Sequence, residues 1–222
     1  MSRVLHIVVA VAAVIIVFSG CRSREPLELL TPEEHLEMGR PAEATGRSTA
    51  QARSPAPEQP VVVLETNLGA IHIVLDPERA PRTVENFLEY VRSGFYDGTI
   101  FHRVIPGFVA QAGGFNPELE PKETRDPIAS EADNGLRNTR RSVAMARRDD
   151  VDSATSQFFI NLDDNPFLDH DGPYQGYTVF GRVIDGMHVV NEIASRPTES
   201  RDGFEHLPEN PVMIERARLS GN

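Results

Sequence analysis

Apolar and polar positions along this chain fall into three regimes. Val4 to Phe18 is almost unbroken apolar sequence, interrupted only by His6. Residues 22–60 hold few apolar positions beyond Leu27, Leu29, Leu30, Leu36 and Met38, and these keep no period. From Val61 onward short runs alternate like half-buried strands. The pattern predicts strands over Val61–Glu65, Ile71–Leu75, Thr99–Val104, Phe108–Ala112, Ser142–Ala146, Gln157–Leu162, Tyr177–Ile184 and Val212–Leu219. Asn67-Leu68-Gly69 and Pro106-Gly107 read as turns.

Two stretches change to helical spacing. Pro81 can open a helix, Val84, Phe87, Leu88 and Val91 form one apolar stripe, and Gly94 supplies the stop. Asp185 is expected to cap a second helix, with Met187, Val190, Ile193 and Ala194 facing inward. Residues 113–141 are rich in Gly, Pro, Asn, Asp and Glu and read as a long ordered loop, which is uncommon unless functional. Many short strands with two isolated helices predict an antiparallel barrel or sandwich with helical caps.

The apolar run at the start is too short for a comfortable membrane span, which needs about 20 residues, and it fits a signal-peptide core. Phe18-Ser19-Gly20-Cys21 resembles a bacterial lipobox. That resemblance implies cleavage before Cys21, lipidation of Cys21, and placement in the bacterial periplasm. Arg22 rather than an aspartate after the cysteine points to the outer membrane. The alternatives are a free periplasmic protein or an uncleaved anchor. Thr31-Pro32-Glu33-Glu34 predicts a short capped helix to Met38, stopped by Gly39. Pro41 to Pro60 reads as a tether. The expected organisation is a signal peptide over 1–20, a lipidated N-terminus and flexible tether over 21–60, and one folded domain over 61–222.

Charge narrows the partners. The chain carries a formal net charge of −11, and residues 61–222 account for −10 of it. An acidic domain lacks the basic footprint of a nucleic-acid binder, so no nucleic acid is expected. Membrane contact is expected through the lipid alone. The acidity and the tether suggest a monomer. With Cys21 as the single cysteine, neither an internal disulfide nor a cysteine-based zinc site is possible.

The candidate chemistry centres on Phe101-His102-Arg103-Val104-Ile105-Pro106-Gly107-Phe108-Val109-Ala110-Gln111-Ala112-Gly113-Gly114. One cation, one amide and several large apolar residues surround a turn. They can bind a peptide, and they offer no obvious nucleophile. With Ser156-Gln157-Phe158-Phe159-Ile160, this stretch resembles the cyclophilin family of peptidyl-prolyl cis/trans isomerases. The resemblance spans about residues 61–219. Asn134-Gly135-Leu136-Arg137 and Asp152-Ser153-Ala154-Thr155-Ser156-Gln157-Phe158-Phe159 look most like the bacterial periplasmic members. It implies a mainly β fold: a closed eight-stranded antiparallel β-barrel capped by two α-helices. It also implies action on proline-containing segments of unfolded or exported proteins, assisting their folding. No cofactor and no metal are expected for this chemistry.

Arg103 matches the family's catalytic arginine. By the same resemblance the proline pocket falls on Phe108, Val109, Phe159 and Leu168, with Gln111 as a polar contact, and Ala146 and Arg147 match positions that bind the substrate backbone. Four positions on that face depart from the eukaryotic pattern. Phe167 stands where a tryptophan usually lies, Tyr177 for a histidine, Arg147 for an asparagine and Val109 for a methionine. The tryptophan contributes to cyclosporin binding in the family, so weak inhibition is expected. From pattern alone Arg103 would read as a surface ion pair, and Phe108, Phe159 and Leu168 could equally be core. His102 alternates to the opposite strand face and reads as structural.

Three other functions compete. Ser156, His170 and Asp171 could suit a hydrolase, but no nucleophile-elbow motif surrounds the serine. Asp163-Asp164-Asn165 with Asp169-His170-Asp171 lacks the spacing of an EF-hand, and a solvated acidic loop is the simpler reading. The serious rival is a tethered peptide-binding or chaperone module with incidental isomerase activity.

Overall fold

The computed structural model describes residues 59–221. The expectations for the signal peptide, the Cys21 lipidation site, the Thr31–Met38 helix and the tether up to residue 58 lie outside the described residues.

The eight strands and two helices predicted from Val61 onward all form. β1 (Val61–Thr66) and β2 (Gly69–Leu75) make a hairpin, followed by helix α1 (Pro81–Arg92), β3 (Thr99–Ile105) and β4 (Val109–Ala112). After the long loop come β5 (Ser142–Met145), β6 (Phe158–Asn161), a single 3-10 turn at Pro166–Leu168, β7 (Val179–Asp185) and helix α2 (Met187–Ala194). β8 (Thr198–Arg201), β9 (Phe204–Pro208) and β10 (Met213–Leu219) complete the order. Eight of these strands close into an antiparallel barrel in the order β1-β10-β3-β4-β6-β5-β7-β2, with β2 returning to β1. Closure removes the unpaired strand edges that an open sheet would expose.

Alternation then decides the interior. Ile71, Ile73 and Leu75 of β2, Ala110 and Ala112 of β4, Val143 and Met145 of β5, and Phe158 and Ile160 of β6 all join one buried core. The stripe on α1 packs into the same core, with Val84, Phe87, Leu88 and Val91 all buried. The Phe87 ring lies 5.1 Å from Tyr96, 5.5 Å from Phe158 and 5.1 Å from Phe180, so one helix residue bridges strands distant in sequence. Full burial of such a side chain contributes about 1.5–3 kcal/mol.

The long loop is fastened to α1. The Glu131 carboxylate accepts the N–H groups of Arg82 (3.0 Å) and Thr83 (2.9 Å) and the Thr83 hydroxyl (2.7 Å). An anion there satisfies orphan donors of the first turn and complements the helix dipole.

Two expectations need correction. Asp185 does not cap α2. It closes β7, and its carboxylate accepts the Gly186 N–H at 2.8 Å. Gly186 is the cap, at φ 85°, where a Cβ would lie 2.2 Å from the Ala70 carbonyl oxygen, so the tight entry admits only glycine. The β8–β9 hairpin was not expected. Its Asp202-Gly203 turn has positive φ at both residues, the chemistry of a two-residue hairpin, and that dipeptide was the available signal.

Candidate active site

The outer face of a barrel normally meets water. Here part of it does not. Val109, Ala144, Phe159, Leu168 and Val179 form a second buried cluster, separate from the interior, with Phe108, Leu136, Ala146 and Tyr177 packed against it. The strands dictate this. On β6, Phe158 points into the barrel and Phe159 points out. Leu168, delivered by the 3-10 turn, covers the patch.

Register aligns the candidate residues across five strands. Arg103 pairs with Gln111, Gln111 with Phe159, Phe159 with Ala144, and Ala144 with Val179. One lateral row on the outer face thus runs from a guanidinium through an amide to an apolar patch. The Arg103 Cζ lies 5.8 Å from the centre of the Phe108 ring. Among the described residues Arg103 pairs with no carboxylate, so the surface ion pair that the bare pattern favoured does not form. A half-exposed cation held over a ring with no counter-ion is available to a ligand.

The remaining candidates frame this row. Gln111 donates to the Gln157 side-chain oxygen at 2.9 Å. Gln157 folds over Gly114, where a Cβ would sit 2.6 Å from its amide nitrogen, so a larger residue there would push the Gln157 side chain aside. Phe167 is 62% exposed and stacks on Phe108 with centroids 5.6 Å apart. Tyr177 meets Phe159 edge-on at 5.5 Å, and the Arg147 guanidinium lies 4.9 Å from the centre of the Tyr177 ring. Arg147 also donates to the Gly176 carbonyl at 3.0 Å, which fixes its position. Ala146 uses its N–H on the Gln157 carbonyl at 2.9 Å, so a bound peptide would meet its carbonyl.

A polar keel beneath the patch was not anticipated. Asn165 donates to the Asn161 side-chain oxygen (2.7 Å) and to the Phe108 carbonyl (3.1 Å). Asn161 donates to Ser142 Oγ (2.9 Å) and to Asn138 Oδ1 (3.2 Å), and Asn138 donates to the Leu168 carbonyl (3.0 Å). All three asparagines are buried. They tie Phe108 and Leu168, on opposite sides of the patch, to one network. The signal in the sequence was an asparagine closing the apolar strand Phe158-Phe159-Ile160-Asn161.

His102 does not alternate to the opposite face as expected: Phe101 and Val104 both lie in the barrel core, and the register shift between Phe101 and Arg103 turns His102 outward on the same side as Arg103. Its ring packs on Phe115 at 4.8 Å and faces Phe204 of the unexpected hairpin at 6.2 Å. Burial disfavours its charged form and lowers its pKa from 6.5 to about 4. The imidazole is therefore neutral at ordinary pH. The hydrolase alternative finds no support in the geometry: Ser156 is fully buried and its hydroxyl donates to the Gly113 carbonyl at 2.7 Å.

A closed barrel whose outer wall carries, among the described residues, an arginine free of carboxylates beside an apolar patch has the surface expected of a peptide-binding protein. Comparison with known proteins gives that class its family. Residues 61–219 match the family described as cyclophilin type peptidyl-prolyl cis-trans isomerase/CLD. The chain is 51% identical over 158 residues to peptidyl-prolyl cis-trans isomerase A of Dickeya dadantii, covering 71% of this chain and 83% of that protein. It is 53% identical over 163 residues to peptidyl-prolyl cis-trans isomerase cyp18 of Streptomyces antibioticus, covering 72% and 98%. The crystal structure of a cyclophilin-type isomerase from Cryptosporidium parvum superposes with a TM-score of 0.59 at 28% identity, covering 74% of this chain and 99% of that one. The chain belongs to the cyclophilin-type peptidyl-prolyl cis-trans isomerases, and rotation about X-Pro peptide bonds in proline-containing peptides is its reaction.

Proposed function

We propose that Arg103 is the catalytic residue of this isomerase and that the Phe108–Phe159–Leu168 patch grips the proline ring. A planar X-Pro bond rotates slowly because conjugation must be broken, at a cost of about 18–20 kcal/mol. At the twisted transition state the proline nitrogen becomes pyramidal and gains a lone pair. A donor aimed at that lone pair binds the transition state better than either planar form, which is the requirement for catalysis. Arginine stays protonated and presents a rigid fork of donors. The observation that carries this reading is the counter-ion-free Arg103 guanidinium in one row with Gln111 and Phe159. A charged hydrogen bond contributes about 1.5–3 kcal/mol, equivalent to one or two powers of ten in rate. Further acceleration comes from holding the ring while the preceding carbonyl swings, with Gln111 and the Ala146 carbonyl as candidate contacts to the substrate. Val109 and Leu168 then floor the slot, while Phe167, Tyr177 and Arg147 border the residue next to the proline.

The test is a protease-coupled or exchange-NMR assay on an X-Pro peptide, with the segment from about Val61 as well as the full chain. Arg103→Ala is expected to lower kcat/KM by about 10–100-fold with the fold intact. A variant that isomerises as fast as the parent removes Arg103 from the mechanism.

The cellular setting is proposed from the N-terminal sequence. The Phe18-Ser19-Gly20-Cys21 signal and the tether support lipid attachment at Cys21, in the bacterial periplasm and at the outer membrane, with a monomeric domain acting on exported proteins as they fold. Labelling cells with a radioactive fatty acid tests this. Label in the parent and none in Cys21→Ser is the expected result, and no label in the parent ends the proposal.

A further inference from the structure

A second feature lies on the same outer wall. A groove of about 410 Å³ is bordered by Arg137, Arg140, Arg141 and Arg182. These are four of the 16 cationic side chains in residues 61–222, a stretch that carries 26 anionic ones. Seven ion pairs form among the described residues, and none uses any of the four. Arg140 donates Nε to the Leu162 carbonyl (3.2 Å) and Nη2 to Asn191 Oδ1 (3.3 Å). Arg141 donates Nε to the Val183 carbonyl (3.2 Å) and Nη2 to the Ile184 carbonyl (3.4 Å). Both keep N–H groups free, because a guanidinium has five. Arg137 and Arg182 have no side-chain partner among the described residues. The one carboxylate bordering the groove, Asp76, accepts the Arg79 backbone N–H at 3.1 Å.

Arg141 adds an independent sign. It sits at φ 81°, in the left-handed region. Holding a non-glycine residue there strains the backbone, a strain that glycine would avoid. Backbone geometry at this position calls for glycine, and the chain places a cation there instead.

The groove adjoins the proline patch. Arg182 pairs in register with Val74 on one side and Ser142 on the other. Ser142 lies two residues before Ala144 on β5, on the same outward face, since Val143 between them is in the barrel core. The two rows are thus one strand repeat apart, about 7 Å. Leu136 and Val179 belong to both: they border the groove and pack in the outer cluster.

We propose that this arginine groove is an acidic-residue subsite of the isomerase, which binds the aspartate or glutamate side chains of a substrate segment while its proline occupies the neighbouring patch. This rests on reading the Arg103 face as the peptide-binding face. Continuity with that face and the apolar walls favour a peptide. The negative balance of the domain repels a nucleic acid or an anionic bilayer at long range, whereas a few carboxylates gripped at contact distance gain from the fork geometry of arginine. The groove makes the enzyme select acidic flanks near proline in spite of its own net charge.

The experiment compares two fluorescent X-Pro peptides on the full chain, one with an Asp-Asp pair stepped along the flank and one with Asn-Asn at the same positions. Kd is read by polarisation and kcat/KM by exchange NMR, each at low and high salt. At the best spacing the parent is expected to bind the Asp peptide about tenfold more tightly, a preference that high salt erodes. Arg137→Ala with Arg182→Ala should abolish the preference and leave turnover of the Asn peptide unchanged. Arg141→Gly should reduce the preference while keeping or raising Tm, which separates anion binding from folding. Equal Kd for the two peptides at every spacing overturns the proposal, as does a preference that survives the double variant. Binding to phosphatidylglycerol vesicles in place of the Asp peptide also overturns it. Because Kd needs no turnover, the subsite can be judged even if Arg103→Ala shows the catalytic reading to be wrong.

Discussion

The barrel has two apolar regions, and they do different work. The interior is closed on all sides and fully buried. The outer patch is smaller, sits on the reverse side of the same strands, and is edged by exposed or half-exposed rings. Phe158 and Phe159 are consecutive, are 0% and 4% exposed, and belong one to each region. Strand parity alone separates a residue that packs in the interior from one that packs in the outer patch proposed to grip the proline. Because both regions hang on the same strands, the patch is placed on a rigid wall.

This contrast can be broken most directly with that pair. Phe158→Ala leaves a hole among Phe87, Tyr96 and the barrel core, and is expected to cost about 3–5 kcal/mol in denaturant melts. Phe159→Ala, beside solvent, should cost clearly less stability while lowering kcat/KM more than it lowers Tm. Equal losses of stability would show the patch to be ordinary core.

His102 gives the next largest effect: it lies outside the barrel core yet is buried, packed on Phe115 and facing Phe204. Its folded pKa of about 4 lies below the unfolded value of 6.5. The unfolded chain therefore binds the extra proton first as pH falls. The contribution is fully present above pH 6.5 and is lost between 6.5 and about 4, amounting to about 3 kcal/mol. Melting curves against pH should show this slope, and His102→Asn should flatten it. An imidazole that titrates near 6.5 in the native protein by NMR contradicts the effect.

The asparagine keel links the two regions. Asn165→Ala leaves the Asn161 amide oxygen without a partner and takes one of two donors from the Phe108 carbonyl, which keeps the Leu162 N–H, and is expected to cost about 1–3 kcal/mol. It should also raise KM, because the side-chain link that ties the Phe108 carbonyl to the asparagine network under Leu168 is lost. A stability loss with unchanged KM would confine the network to folding. The smallest effect is expected at Gly114→Ala, whose Cβ displaces the flexible end of Gln157. Tm should move little, and kcat/KM should fall by less than in Arg103→Ala. Phe167, exposed on the rim in place of a tryptophan, carries the further expectation of weak cyclosporin inhibition, which a nanomolar inhibition constant would refute.

Much of this was legible in advance. Alternation and turn residues located all eight barrel strands, the stripe on α1 identified its buried face, and the motif around Arg103 drew attention to the row that register later assembled. These signals are local: each depends on spacing within a dozen residues or on an unusual run of side chains. The β8–β9 hairpin escaped because its strands are polar and half-exposed, and only Asp202-Gly203 marked it. The cap of α2 escaped because Asp185 fits the usual capping chemistry, while the close approach of Ala70 that demands Gly186 is a contact across the barrel wall.

The amino-acid order by itself determined which segments pair with water and which avoid it, and hence the elements and the type of chemistry available. It did not determine which side of each strand would be inside, because alternation gives two faces and names neither. Closure of the barrel made that choice: it buried Phe158, Ile160 and Val143 together and turned Phe159, Ala144 and Gln111 outward into line with Arg103. A row drawn from five strands of different sequence position exists only once the ladder is closed, since register, unlike periodicity, is a relation between distant parts of the chain.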